Sequence, residues 1–158
     1  MKNEEYKKAL DIAKKRHGND KINEYLIILD LLIQEKYLPA IEERGHYHQY
    51  YDPNHDNGDY GEKYFDMYLE IEPQSINGLC DKAMSLSNKN KLTEEDRAAA
   101  ASYMAFIMQE YRRLIPADKQ YGISISGITE TNTGYKLCPW TSDYNRNEMY
   151  EGIVDGLK

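Results

Sequence analysis

This chain of 158 residues is 41% apolar and carries fifteen tyrosines, so it has material for one folded core. Its formal charge of −7, with 27 acidic residues against 20 basic ones, argues against a nucleic-acid binder, which clusters Lys and Arg. No run of eighteen apolar residues is present and the first residues, Met1-Lys-Asn-Glu-Glu-Tyr6, form no apolar leader, so neither a membrane span nor a secretion signal is expected and the expected location is cytoplasmic.

Residues 3–17 read as a first helix, with Glu4 and Glu5 at its start, Lys14, Lys15 and Arg16 at its end, and Gly18 as a stop. Tyr6, Ala9, Leu10 and Ala13 give it a narrow apolar stripe. Asn19 or Asp20 is placed to cap a second helix. Eight of the nine residues in 25–33 are apolar, so this helix is expected to be buried on nearly all sides. Its register extends through Tyr37 and Ile41, with Pro39 predicting a kink or a restart and Gly45 an end. Residues 1–45 are thus expected to form an N-terminal helical hairpin.

Residues 46–58 read as a loop, and together with the residues just after them they concentrate histidine, aspartate and tyrosine. Three functional readings apply. His46, His48, Asp52 and His55 are metal-ligand types, and a His-x-His pair chelates from an extended chain. Asp52, Asn54 and Asp56 open like a calcium loop, but Asn57 and Lys63 stand where Gly and Glu are required, which rules out an EF-hand. The third reading is a partner-binding surface, because tyrosine offers a large, stiff, amphipathic contact. A plain helix–helix connection with tyrosines along the core edge is the alternative to all three.

Charge separates along the chain. Residues 1–41 sum to +1, residues 42–72 to −7 and residues 73–158 to −1. The partner reading therefore centres on the acidic stretch 42–72, with Tyr47, Tyr50, Tyr51, Asp52, Asp56, Asp59, Tyr60 and Tyr64 as its contacts and a basic protein as its partner.

Residues 59–116 read as three helices divided by prolines: 59–72, opened by Asp59 and Glu62 as a capping box; 75–87, capped by Ser75; and 94–115, opened by Thr93 and Asp96. Pro73 and Pro116 act as stops. The second carries a stripe of Ile76, Leu79, Cys80, Ala83 and Leu86, which predicts a buried Cys80 thiol. The pattern Gly58-Asp59-Tyr60, Phe65 and Tyr68-Leu-Glu-Ile-Glu-Pro73 resembles the second helix of a tetratricopeptide repeat. Leu79, Ala83 and Leu86 match the large, small and aromatic positions of the next repeat's first helix, and Leu114-Ile-Pro116 resembles a repeat end. The resemblance covers about residues 58–116 and implies a scaffold that binds other proteins through a concave helical surface.

Residues 117–158 change character. The alternation in 121–128 and a return through 135–140 predict either a short β-hairpin near 121–140 or a long loop, with Trp140 as an anchor. Asn145 and Glu148 read as a capping box for a last helix with Met149, Ile153 and Leu157 as its stripe, and Gly152 and Gly156 suit close packing on another helix.

No phosphate-binding glycine loop, Gly-x-Ser-x-Gly elbow, His-Glu-x-x-His or Cys-x-x-Cys is present. The sequence therefore predicts a mainly α, single domain of about six helices with tetratricopeptide-like packing. The expected role is a non-enzymatic protein–protein interaction module without cofactor, of the inhibitor or immunity type. The alternative is a metal-binding protein or metal-dependent hydrolase using the 46–59 loop, and a homo-oligomer built on the tyrosine-rich face is a third expectation.

Overall fold

The computed structural model describes residues 2–17, 21–52, 61–89, 91–125, 127–131 and 136–158. They form seven α-helices in two compact units. The unit Met1–Gln74 holds α1 (Lys2–Lys14), α2 (Ile22–Gln34), α3 (Leu38–Tyr50) and α4 (Glu62–Ile71). The unit Ser75–Lys158 holds α5 (Ile76–Asn88), α6 (Glu94–Leu114), a 3-10 turn at Ala117–Lys119 and α7 (Glu148–Leu157). The mainly α expectation holds. No described helix is long and apolar enough to cross a membrane.

In the first unit consecutive helices pack on each other. Leu10 and Ala13 of α1, Tyr25, Leu29 and Leu32 of α2, and Ala40 and Tyr47 of α3 form one buried cluster. α2 buries one face only: Ile27 and Leu31 are 59% and 57% exposed, so an all-round apolar helix did not become an all-round buried one. α2 ends where Lys36 takes a left-handed φ of 56°, and the Lys36 and Tyr37 amides donate to the carbonyls of Ile33 and Leu32. The chain then restarts as α3, with Pro39 in its first turn, where an amide donor is not needed.

α3 does not stop at Gly45 but runs on to Tyr50. The glycine serves contact rather than termination. A Cβ at Gly45 would lie 2.6 Å from the Phe65 ring of α4, so its absence lets that ring sit on the α3 backbone. Gly61, the residue before α4, has φ 82°, and a Cβ there would meet the Gly45 carbonyl at 2.5 Å. Gly61 rather than Asp59 is therefore the N-cap of α4, and Asp59 itself lies outside the described residues.

In the second unit the caps at Ser75 and Thr93 form as the sequence implies. Ser75 Oγ accepts from the Gly78 amide at 3.3 Å. Thr93 Oγ1 accepts from the Asp96 amide at 3.1 Å, while the Asp96 carboxylate accepts from the Thr93 amide at 2.9 Å. α7 starts at Asn147, not Asn145: Asn147 Oδ1 accepts from the Met149 and Tyr150 amides, and its amide group also donates to the Cys138 carbonyl at 2.7 Å. Tertiary partners select between two asparagines that are locally alike. Cys80 is exposed and Cys138 buried, because Cys80 stands about 100° round the helix from Leu79, off the line that buries Leu79 and Leu86.

The β-hairpin does not form: the described residues of 121–140 contain no strand. Gly122 and Gly127 take φ of 130° and 151°, which interrupt a regular extended backbone. Trp140 instead bridges Thr129 and Arg146, accepts from the Glu130 amide at 2.9 Å and places its ring 5.2 Å from that of Tyr150. It anchors the tail, as expected.

α6 and α7 pack closely. A Cβ at Gly152 or Gly156 would collide with the backbone carbonyl of Ala101 or Ala105, so both glycines are spaces that α6 fills. Helix propensity alone makes Gly152→Ala stabilising by about 1 kcal/mol. The packing reverses the sign, and urea denaturation should show a loss of about 1–3 kcal/mol.

Asp96 gives a pH test. Burial pushes its carboxyl up, but hydrogen bonds from Lys89 and Thr93 and the Lys89 charge outweigh this and hold it below the ordinary value. A lowered carboxyl stabilises above its unfolded-state pKa of about 4, and the benefit is lost as pH falls through the folded value. Asp96→Asn should cost about 1 kcal/mol at pH 7, and the gap to wild type should close in acid denaturation below about pH 4.

Candidate functional site

Continuing α3 past Gly45 decides where the aromatic residues go. A loop would scatter them, whereas a helix sends residues 47, 50 and 51 to adjoining parts of one surface. The Tyr51 and Asp52 amides both donate to the Tyr47 carbonyl, at 2.9 and 3.1 Å, and close the helix.

Tyr47 points inward and is 7% exposed. Its ring lies 5.7 Å from Tyr25 and 6.3 Å from Tyr51, the latter pair stacked at 26°. His17, just after α1, lies 4.9 Å from Tyr25, 5.7 Å from Tyr47 and 4.7 Å from Tyr51. The Tyr25 hydroxyl donates to Glu43 at 3.0 Å, and Lys14 pairs with the same carboxylate at 2.6 Å. Burial, then the Glu43 charge and hydrogen bond, drive the Tyr25 phenol far above its ordinary value, so it stays a neutral donor.

On the α4 side, Tyr64 is also buried, at 8%, and packs with Ile41 and Tyr68. The Arg44 guanidinium lies 5.6 Å from the Tyr47 ring centre and 5.2 Å from that of Tyr64, and its Nε donates to Asp30 at 3.2 Å. Arg44 thus joins both aromatic groups to α2 through a cation–π contact and an ion pair.

Of the eight residues predicted to meet a partner, five are described. Tyr50 and Tyr51 are at the surface, 53% and 62% exposed. Tyr47 and Tyr64 face the fold, because α1, α2 and α4 need those positions for packing. Asp52 is half-buried and lies 3.0 Å from His48 Nδ1 one helical turn earlier. Asp56, Asp59 and Tyr60 lie outside the described residues.

The proposed metal set does not converge as an extended His-x-His would. On a helix, residues two apart point about 200° away from each other. His46 lies against Phe65, with ring centres 5.8 Å apart, and His48 lies against Tyr64 at 6.2 Å and pairs with Asp52. His55 lies outside the described residues.

Two contributors were not visible in local spacing. His17 reads as a helix end, yet it completes the base under Tyr51 from a position 34 residues earlier. Arg44 reads as one cation in an acidic stretch, yet it holds two rings. α4 adds Asp66 and Glu70 at consecutive turns, both exposed beside Met67 and Ile71. The arrangement presents two phenols from a braced helix within an acidic segment. No family model matches this chain, and no curated protein or solved structure shows significant similarity to it.

The division between inward and outward tyrosines is directly measurable. Tyr47→Ala should lower unfolding stability by about 3–5 kcal/mol, as for loss of a buried ring. Tyr50→Ala should stay within about 0.5 kcal/mol of wild type, whereas Tyr51→Ala should cost about 0.5–1.5 kcal/mol through its lost ring contacts with His17 and Tyr47.

Proposed function

We propose that this protein is a non-enzymatic protein–protein interaction module whose acidic, tyrosine-rich segment 42–72 docks on a basic surface of another protein. The observation that carries this reading is the outward placement of Tyr50 and Tyr51, each more than half exposed, within the segment that holds a charge equal to that of the whole chain. Scattered exposed apolar residues need no explanation, whereas two adjacent tyrosines on a stacked base form a contiguous contact surface. Tyrosine also loses little conformational freedom on binding, since it has only two side-chain torsions.

The charge supplies attraction at long range and the rings supply contact at short range. Glu43 is already paired with Lys14 and Tyr25, and Asp52 with His48, so they support the surface more than they meet a partner. Glu70 on α4 is an exposed acid of the same segment. The tetratricopeptide resemblance of residues 58–116 supports the same class of role, because such repeats bind proteins. An inhibitor or immunity-type protein of the cytoplasm, covering a basic active site, fits this chemistry.

The test is capture from lysate of the source cells at low salt, with release at high salt. Exposed charge attraction is screened beyond about 8–10 Å at physiological salt. With the captured protein in hand, Asp56→Asn, Asp59→Asn and Glu70→Gln together should slow association at low salt by about tenfold, as loss of steering charge does. Tyr50→Ser with Tyr51→Ser should act mainly on dissociation and cost about 2 kcal/mol or more. Unchanged rates in both variants would remove the proposal, and a stoichiometric transition metal in chelator-free protein would favour the metal reading.

A further inference from the structure

The unit Ser75–Lys158 contains a cleft of about 290 Å³, lined by Leu92 and by the polar residues Lys91, Arg97, Glu130, Thr131, Lys136 and Ser142. Its sign is opposite to that of the chain. Arg97 donates to both oxygens of Glu130, at 2.6 and 3.5 Å, and to the Lys136 carbonyl at 3.4 Å. Asn147 also donates to Glu130, at 3.2 Å. That carboxylate is therefore engaged by Arg97 and Asn147, and it fixes the guanidinium in place.

The flanking Lys89 is neutralised in the same way by Asp96, 2.8 Å away. Lys136 is treated differently. Its ammonium donates to the Lys89 carbonyl, a neutral acceptor that orients the group without cancelling its charge. Lys91 is exposed, and among the described residues neither Lys91 nor Lys136 is paired with a carboxylate. The neighbouring residues 90 and 132–135 are Asn, Asn, Thr, Gly and Tyr, none of them charged. Two positive charges without a carboxylate partner thus flank a cleft that also holds the Ser142 side chain.

We infer that this cleft binds a small doubly charged oxyanion of the phosphoryl type, with Lys91 and Lys136 as its charged donors and Arg97, held by Glu130, as a preorganised wall. Two ammonium groups match two negative charges. Hydrogen bonds to ionised acceptors are the strong ones, and hydroxyls complete an oxyanion's acceptor sites. The site is built from residues of this unit alone.

Inorganic phosphate and pyrophosphate, titrated into the full chain and followed by amide NMR shifts or calorimetry, test it. Saturable one-to-one binding is expected, with shifts at Lys91, Arg97 and Lys136. Lys136→Gln with Lys91→Gln should weaken binding by about tenfold or more, the worth of one charge-assisted contact. Lys91→Gln alone, at an exposed position, gives the same direction if the double variant is unstable, and Lys91→Arg should keep the affinity. Lys119→Gln, on the 3-10 turn outside the cleft, should change nothing. Absence of saturation, or equal affinity in the cleft variants and wild type, would mean an adventitious ion only and overturn the inference. Acetate binding as tightly as phosphate would overturn the match to a doubly charged ligand.

Discussion

The contact between the Phe65 ring and the bare backbone at Gly45 is the constraint on which the first unit depends. It requires two glycines at once, since a Cβ at Gly61 would meet both the Gly45 carbonyl and the Phe65 ring. With both in place, α4 approaches α3 closely enough for Tyr64 and Tyr68 to reach Ile41. A helix held this way has no reason to end at its glycine. The next five residues stay helical, and the tyrosines gain fixed directions.

Energy and function separate within that short continuation. Tyr47 is core, gripped by Tyr25, His17 and Arg44. Tyr51 stacks on it from outside, and Tyr50 is its neighbour at 6.4 Å. The buried ring contributes stability and the outer rings contribute contact area. Aromatic pairs at such separations add about 0.5–1.5 kcal/mol beyond burial. The base is therefore stiff, and stiffness lowers the ordering cost that a partner must overcome. The second unit uses small residues in a related way, with Gly152 and Gly156 against the α6 backbone.

Much of this was legible in local sequence, and the failures share a cause. The caps at Ser75 and Thr93 need only neighbours three residues away, so pattern and structure agree. Glycine at position 45 has two local meanings, a helix stop or a site of close approach, and only Phe65, twenty residues on, decides between them. Asn145 and Asn147 are equivalent until Cys138 and Glu130 choose the second. Composition made 25–33 look buried on all sides, but a helix in a small unit has neighbours on only some sides, and Ile27 and Leu31 stay outside. The tyrosine cluster was legible as a cluster. Which members face inward was not, because that depends on the phase of a helix whose extent was itself misread.

The account turns on residues 46–50 being a helix held by Phe65, closed by the Tyr51 and Asp52 amides, rather than a loop. Backbone amide hydrogen exchange, read residue by residue in wild type and in Gly45→Ala, tests this most directly. Protected Tyr47, Tyr51 and Asp52 amides in wild type, with protection falling in Gly45→Ala as the added methyl displaces Phe65, would agree with it. Fast exchange of these amides in wild type, or protection unchanged by the methyl, would contradict it.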